Sequence, residues 1–309
     1  MRSLNRQAAW FVVFGALLGA ALSGHAAQRP AAPERFTVPV DGHPLAVWAR
    51  VPPSPRVAVV LVHGRTWSSL PDFDLQVPGL ERSVMTSLAD RGMAAYAVDM
   101  RGYGETPRDD TGWLTPRRSA ADLLGVLNWV AARHPDLPPP AVIGWSRGAA
   151  IAQLAVQAAP MSSALVLFGF AFDPDLSFVD LMTSDEPARL TNTEAAAKSD
   201  FISPEVTPTA VVEAFVEQAL AADPILADLR ADGQFNALDP ALVTVPTLVI
   251  FGARDPGVNQ VDAGKFFARL ATSDKQMVAL PGADHAAQLE DTHDAWVAAV
   301  VSFLTRPTR

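Results

Sequence analysis

The chain has 309 residues and no cysteine. That excludes a disulfide scaffold, a thiol nucleophile, a thiolate metal site and lipid attachment through an N-terminal cysteine. Charge is also sparse. Asp, Glu, Lys and Arg make up 18% of the residues against 49% hydrophobic, which fits a globular enzyme and argues against extensive disorder. The charge present is mostly acidic, for a formal net of −9, and no basic cluster offers a footing for nucleic acid. No apolar run reaches the ~20 residues of a spanning helix. The longest runs from Ala8 to Leu22.

That run sits between Arg2 and Arg6 on one side and Gly24-His25-Ala26 on the other. A positive start, an apolar middle and small residues before a cut describe a secretory signal peptide. Residues 1–26 are therefore expected to be removed after Ala26. The mature protein would be periplasmic or extracellular, with no stable hold on a membrane. The remaining chain is long enough to bury a core without disulfides or metals.

Short apolar runs alternate with helical patterns over most of the chain, which predicts a mostly parallel sheet covered on both faces. Arg35 to Val40 and Pro44 to Val51 read as a hairpin turning at Asp41-Gly42. Val57 to Val62, Met93 to Val98, Ala141 to Ile143, Ala164 to Phe168, Thr247 to Phe251 and Gln276 to Leu280 read as buried strands. Helices are expected over Leu80 to Arg91, Ser119 to Arg133, Gly148 to Ala158 and His293 to Leu304. The rhythm breaks between Phe172 and Val245. There Thr207 reads as an N-cap before a helix carrying Val211, Val212, Phe215, Ala219 and Leu220. The organisation expected is a core over residues 34–171, a helical cap over 172–245 and a second part of the core over 246–306.

Gly144-Trp145-Ser146-Arg147-Gly148 joins a predicted strand to a small-residue helix. A serine on so tight a turn is lifted above the sheet edge, and flanking glycines let strand and helix approach. It also lies at a helix N-terminus, where developing negative charge is favoured. Ser146 is the candidate nucleophile. A serine hydroxyl needs a neighbouring base, and the base needs an orienting carboxylate. Of six histidines, His285 lies in a loop directly after the last predicted strand, at the end of the sheet where open α/β folds place their sites.

From Val57 to Leu304 the chain resembles the α/β-hydrolase superfamily. His63-Gly64-Arg65-Thr66-Trp67 follows the first buried strand as that family's His-Gly motif does. Asp99-Met100-Arg101-Gly102-Tyr103-Gly104 matches its Asp-x-Arg-Gly-x-Gly turn. The resemblance implies a Ser-acid-His triad, with His285 in the catalytic-histidine loop and Asp255 as the acid. Asp284 and Asp173 remain rivals for the acid. It also implies an oxyanion hole formed by the backbone N–H groups of Arg65 and Arg147, with His63 bracing the loop. The expected reaction is acyl transfer from a small-molecule acyl substrate to water, without metal or organic cofactor. A carboxylic ester is the first choice; amide or iminopeptide, lactone, carbon–carbon and perhydrolase chemistry, or a non-catalytic binding role, are alternatives. Ser146 in place of Asp at the elbow argues against dehalogenase and epoxide-hydrolase chemistry. Trp67, Tyr103 and Phe215 are candidate substrate contacts. The guanidinium groups of Arg65 and Arg147 either favour an acidic substrate or turn away to pair with surface carboxylates.

Overall fold

The central strands of this chain are apolar throughout, so each must be covered on both faces. The computed structural model describes residues 32–180 and 184–307. The expected signal peptide lies outside them. An antiparallel hairpin opens the fold: β1 (Glu34–Val40) and β2 (His43–Arg50), turning at Asp41-Gly42 with both residues at positive φ. β3 (Val57–Val62) follows, then the short α1 (Ser69–Phe73).

The next stretch departs from the sequence expectation. Leu80 to Arg91 does not form one helix. Pro78-Gly79 makes a turn, with Gly79 at φ +77°, between β4 (Leu75–Val77) and β5 (Leu80–Arg82). Ser83 then accepts a hydrogen bond from the N–H of Thr86 and caps α2 (Val84–Ala89). The turn and the cap together cut the helical pattern short.

β6 (Met93–Val98) leads to α3 (Pro116–Arg133), which begins earlier than expected because Thr115 caps it and Pro116 opens it. β7 (Ala141–Trp145), α4 (Arg147–Ala158) and β8 (Leu165–Phe168) match their sequence patterns closely. Between residues 172 and 245 lie α5 (Glu194–Lys198) and α6 (Thr209–Ala222), with short 3-10 turns. Pro208, not Thr207, occupies the N-cap position of α6, and the Thr207 hydroxyl is buried without a hydrogen-bond partner among the described residues. The fold closes with β9 (Thr247–Gly252), α7 (Gln260–Arg269), β10 (Lys275–Leu280) and α8 (His293–Thr305).

Eight strands form one sheet in the order β1-β2-β6-β3-β7-β8-β9-β10, parallel from β6 through β10. Side chains alternate across it. Val60 and Val62 of β3 enter one apolar core with α3, α4 and Phe266 of α7. Val59 and Leu61 enter the other, with α2, α8 and the buried face of α6. The sheet is thus sandwiched between helices, and its strand C-termini carry the site.

Candidate active site

The turn from β7 into α4 depends on two glycines. A Cβ on Gly144 would lie 2.3 Å from the carbonyl oxygen of Gly148, and one on Gly148 would lie 2.2 Å from the carbonyl oxygen of Val62. Only hydrogen fits at either place. The tightness falls on Ser146, whose φ is 54° and ψ −121°. A non-glycine residue at positive φ is strained, and such strain is concentrated at functional sites. The Ser146 N–H donates to the carbonyl of Phe168 at 2.8 Å, which fixes the elbow to β8.

Ser146 and His285 line one small cavity, of about 40 Å3. That is room for a few waters, at ~10–15 Å3 each. Gly64, Arg65, Thr66 and Trp67 form one wall, and Asp72, Trp145 and Asp200 complete it. The half-buried His285 carries its Nδ1 2.9 Å from Oδ2 of Asp255. Its carbonyl accepts from Trp145 Nε1 at 2.9 Å, and the two rings lie 5.5 Å apart. Burial alone would lower the imidazole pKa. The hydrogen bond and charge of Asp255, with the charges of Asp200 and Asp284, outweigh it, and the net shift is upward. Asp255 itself is fixed by the N–H of Gly257, which donates to its Oδ1 at 2.8 Å. Among the described residues the Ser146 hydroxyl makes no hydrogen bond, so it is not bonded to His285 in this state.

The turn after β3 is held at three points. Asp72 Oδ2 accepts from the N–H of Gly64 at 3.0 Å. His63 Nε2 accepts from the N–H of Met100 at 3.1 Å, which leaves Nδ1 to donate to the carbonyl of Gly64 at 3.0 Å. Tyr103 donates its hydroxyl to the carbonyl of Arg65. Burial pushes the His63 pKa down to about 4, so the ring is neutral and acts as a brace. With these groups occupied, the N–H of Arg65 donates to no acceptor among the described residues, and neither does the N–H of Arg147. Arg65 lines the cavity and Arg147 follows Ser146 at the N-terminus of α4; unspent N–H donors beside a serine are suited to an oxyanion.

The side chains of these two arginines part company. Arg147 pairs with Asp232 at 2.7 Å and lies over the Phe235 ring, so it turns away as a structural ion pair. Arg65 is exposed and makes no ion pair among the described residues. Asp99 and Arg101 are tied into the fold. Asp99 accepts from the N–H groups of Ser69 and Glu105 and from Trp48 Nε1. Arg101 forks onto Asp122 with both contacts at 2.7 Å.

Of the three candidate substrate contacts, only Trp67 lines the cavity. Two are corrected. Tyr103 is buried against His63, with its hydroxyl committed to the Arg65 turn. Phe215 is buried edge-on between Trp67 and Phe201. Their aromatic character serves packing and bracing. Neither rival for the acid hydrogen-bonds the His285 ring among the described residues: Asp284 accepts from the N–H of Ser203, and the Asp173 carboxylate caps the N–H of Asp175. The remaining described histidines bond elsewhere, His43 to the Pro107 carbonyl, His134 to Tyr96, and His293 to Ser87 and Gln288.

Sequence reasoning missed the buried acids. Asp72 is fully enclosed, and burial followed by the charges of Asp200, Asp223 and Asp99 pushes its pKa well above the carboxylate range against the pull of the Gly64 N–H. Burial lifts Asp200 to about 6, with His285 pulling the other way. No local motif marks either residue; each is recruited by a tertiary contact. Among the described residues no group of three His, Asp or Glu side chains converges as a metal site.

The family model described as "Serine aminopeptidase, S33" matches residues 53–292. No curated protein matches the chain significantly in sequence. Solved structures resemble it in fold. A serine hydrolase involved in carbazole degradation, the CarC enzyme, is 20% identical at a TM-score of 0.60, over 89% of this chain and 99% of its own. An esterase from Exiguobacterium antarcticum is 18% identical at a TM-score of 0.62, over 88% of this chain and 100% of its own. A Pyrococcus furiosus esterase is 17% identical at 0.58, over 89% and 90%.

Proposed function

We propose that this chain, which belongs to the serine aminopeptidase S33 family of α/β-hydrolases, cleaves a small carboxylic ester or related acyl substrate through an acyl-enzyme on Ser146. The observation that carries the reading is the single cavity walled by Ser146, by His285 on its Asp255 carboxylate, and by the Arg65 turn. In this mechanism Ser146 Oγ attacks the carbonyl carbon while His285 Nε2 takes the proton. Asp255 holds the ring by Nδ1 and stabilises the imidazolium. The N–H groups of Arg65 and Arg147 receive the oxyanion. His285 then protonates the leaving group, activates a water and frees the acyl group. The Oγ–H···Nε2 contact forms as substrate enters, since such contacts tighten in the loaded enzyme.

A second reading is aminopeptidase action. It is favoured by Asp200 in the cavity wall, because a carboxylate there suits a substrate carrying an ammonium group. A panel of p-nitrophenyl esters of graded chain length, run beside aminoacyl anilides and lactones, tests both. Fastest turnover on short esters supports the first reading, and fastest turnover on aminoacyl anilides replaces it with the second. The apolar N-terminal run supports export of the enzyme, with residues 172–245 as a cap on the mature domain. Mass spectrometry of the exported protein reads whether the chain starts after Ala26.

A further inference from the structure

Glu290 follows His285 by one loop and is wholly buried, as is Asp284. Its two carboxyl oxygens reach the peptide groups on either side of the histidine. Oε2 accepts from the N–H of Asp284 at 2.9 Å, and Oε1 accepts from the N–H of Ala286 at 3.0 Å. With Trp145 Nε1 on the carbonyl of His285, the backbone that carries the base is held from both sides.

The same carboxyl group meets a second one. Asp284 Oδ2 accepts from the N–H of Ser203, while its Oδ1 is buried; the Glu290 carboxyl group and the His285 N–H are the other groups that act on this carboxylate. No lysine or arginine pairs with Glu290 among the described residues; Asp284 is the charge that acts on it, His285 lies between the two clamped peptide groups, and His293 donates its N–H to the Glu290 carbonyl with Asp291 between them in the chain. Two enclosed carboxyl groups in contact cannot both be ionised without a counter-charge, and one proton between them turns repulsion into a hydrogen bond.

We propose that Glu290 is a positioning residue for His285, clamping the base through the two flanking N–H groups, and that one proton shared with Asp284 completes the clamp and ties it to the chain at Ser203. This rests on the reading of His285 as the base. Burial first, then the Asp284 carboxylate, pushes Glu290 up to about 9. Burial alone would raise Asp284 as well, but hydrogen bonds from Glu290 and Ser203 outweigh it and its net shift is down. The proton therefore sits on Glu290 at neutral pH. As pH rises through about 9 it is lost, the carboxylates repel, and the histidine loop loosens.

The test compares the full chain with E290A, E290Q and D284N. Two quantities are read: the rate at which a fluorophosphonate labels Ser146 across pH, and backbone hydrogen exchange at residues 284 and 286 at neutral pH. E290A is expected to label about 10²-fold more slowly, the cost of a base displaced by an ångström, with faster exchange at both positions. E290Q, which keeps one acceptor and a donor towards Asp284, is expected to fall between E290A and wild type, and it stands in if E290A does not fold. In D284N the amide supplies a permanent donor to Glu290 and an acceptor to Ser203. It is expected to keep the labelling rate within about 3-fold of wild type at neutral pH, rescue by the conservative partner, and to lose the decline above pH 9. Unchanged labelling and unchanged exchange in E290A and E290Q would overturn the clamp. An alkaline decline that persists in D284N would overturn the shared proton. If wild type takes no label, the serine-hydrolase reading falls, and the exchange rates at 284 and 286 alone decide the clamp.

Discussion

His285 Nδ1 and Asp255 Oδ2 stand 2.9 Å apart, and the carboxylate side chain is 1% exposed. Asp255 therefore fixes which ring nitrogen carries the proton, leaving Nε2 free to act as a base. Replacing it by Asn keeps the shape and removes the charge and the tautomer control. Asp255→Asn is expected to lower kcat by about 10³–10⁴-fold while leaving the melting temperature nearly unchanged. Steady-state kinetics on the best ester, with a thermal melt, check it.

Tyr103 is a brace, and its effect should appear in catalysis before binding. Its hydroxyl holds the carbonyl of Arg65, on the same residue whose N–H is the proposed oxyanion donor. Tyr103→Phe keeps the ring against His63 and frees the turn. Outright loss of an oxyanion donor costs about 10²–10³-fold in rate. A donor merely loosened should cost about tenfold in kcat with KM little changed. A rise in KM at constant kcat would place Tyr103 in substrate binding instead.

The acid limb of kcat/KM reports ionisation of His285, because only the neutral ring is a base. Its pKa is shifted upward on balance, so the limb lies above the ordinary imidazole value. Asp200 contributes to that shift by stabilising the charged ring. Asp200→Asn removes the stabilisation, so the limb moves to lower pH. A pH–rate profile of both proteins decides the sign. A limb that stays in place or moves up would show that Asp200 does not act on His285.

Gly148→Ala probes the elbow through stability. The added methyl would fall 2.2 Å from the Val62 carbonyl oxygen, and backbone cannot yield as a flexible side chain does. A loss of about 2–3 kcal/mol is expected, at the upper end of overpacking costs, read by urea denaturation.

Much of this was legible in the sequence because the central strands are buried on both faces and read as unbroken apolar runs, with β3 and β6 recovered to the residue; β10 was expected to be buried but lies at the sheet edge with Gln276, Met277 and Ala279 exposed. Ser146 and His285 were legible because a local turn and a strand end announce them. The Leu80 to Arg91 stretch misled because Ser83 caps a helix inside what reads as one pattern. Tyr103 and Phe215 misled because nothing local tells a ring that braces from one that contacts substrate. Asp72, Asp200 and Glu290 left no local sign, since each gains its place through a partner elsewhere in the fold or across a loop.

The most direct measurement is the mass and position of a covalent adduct after treatment with a fluorophosphonate. One adduct per chain on Ser146, absent from the folded Ser146→Ala variant and slowed in Asp255→Asn, is the outcome expected. No adduct on folded wild-type protein, or an adduct that survives in Ser146→Ala, would contradict the assignment of Ser146 as the nucleophile.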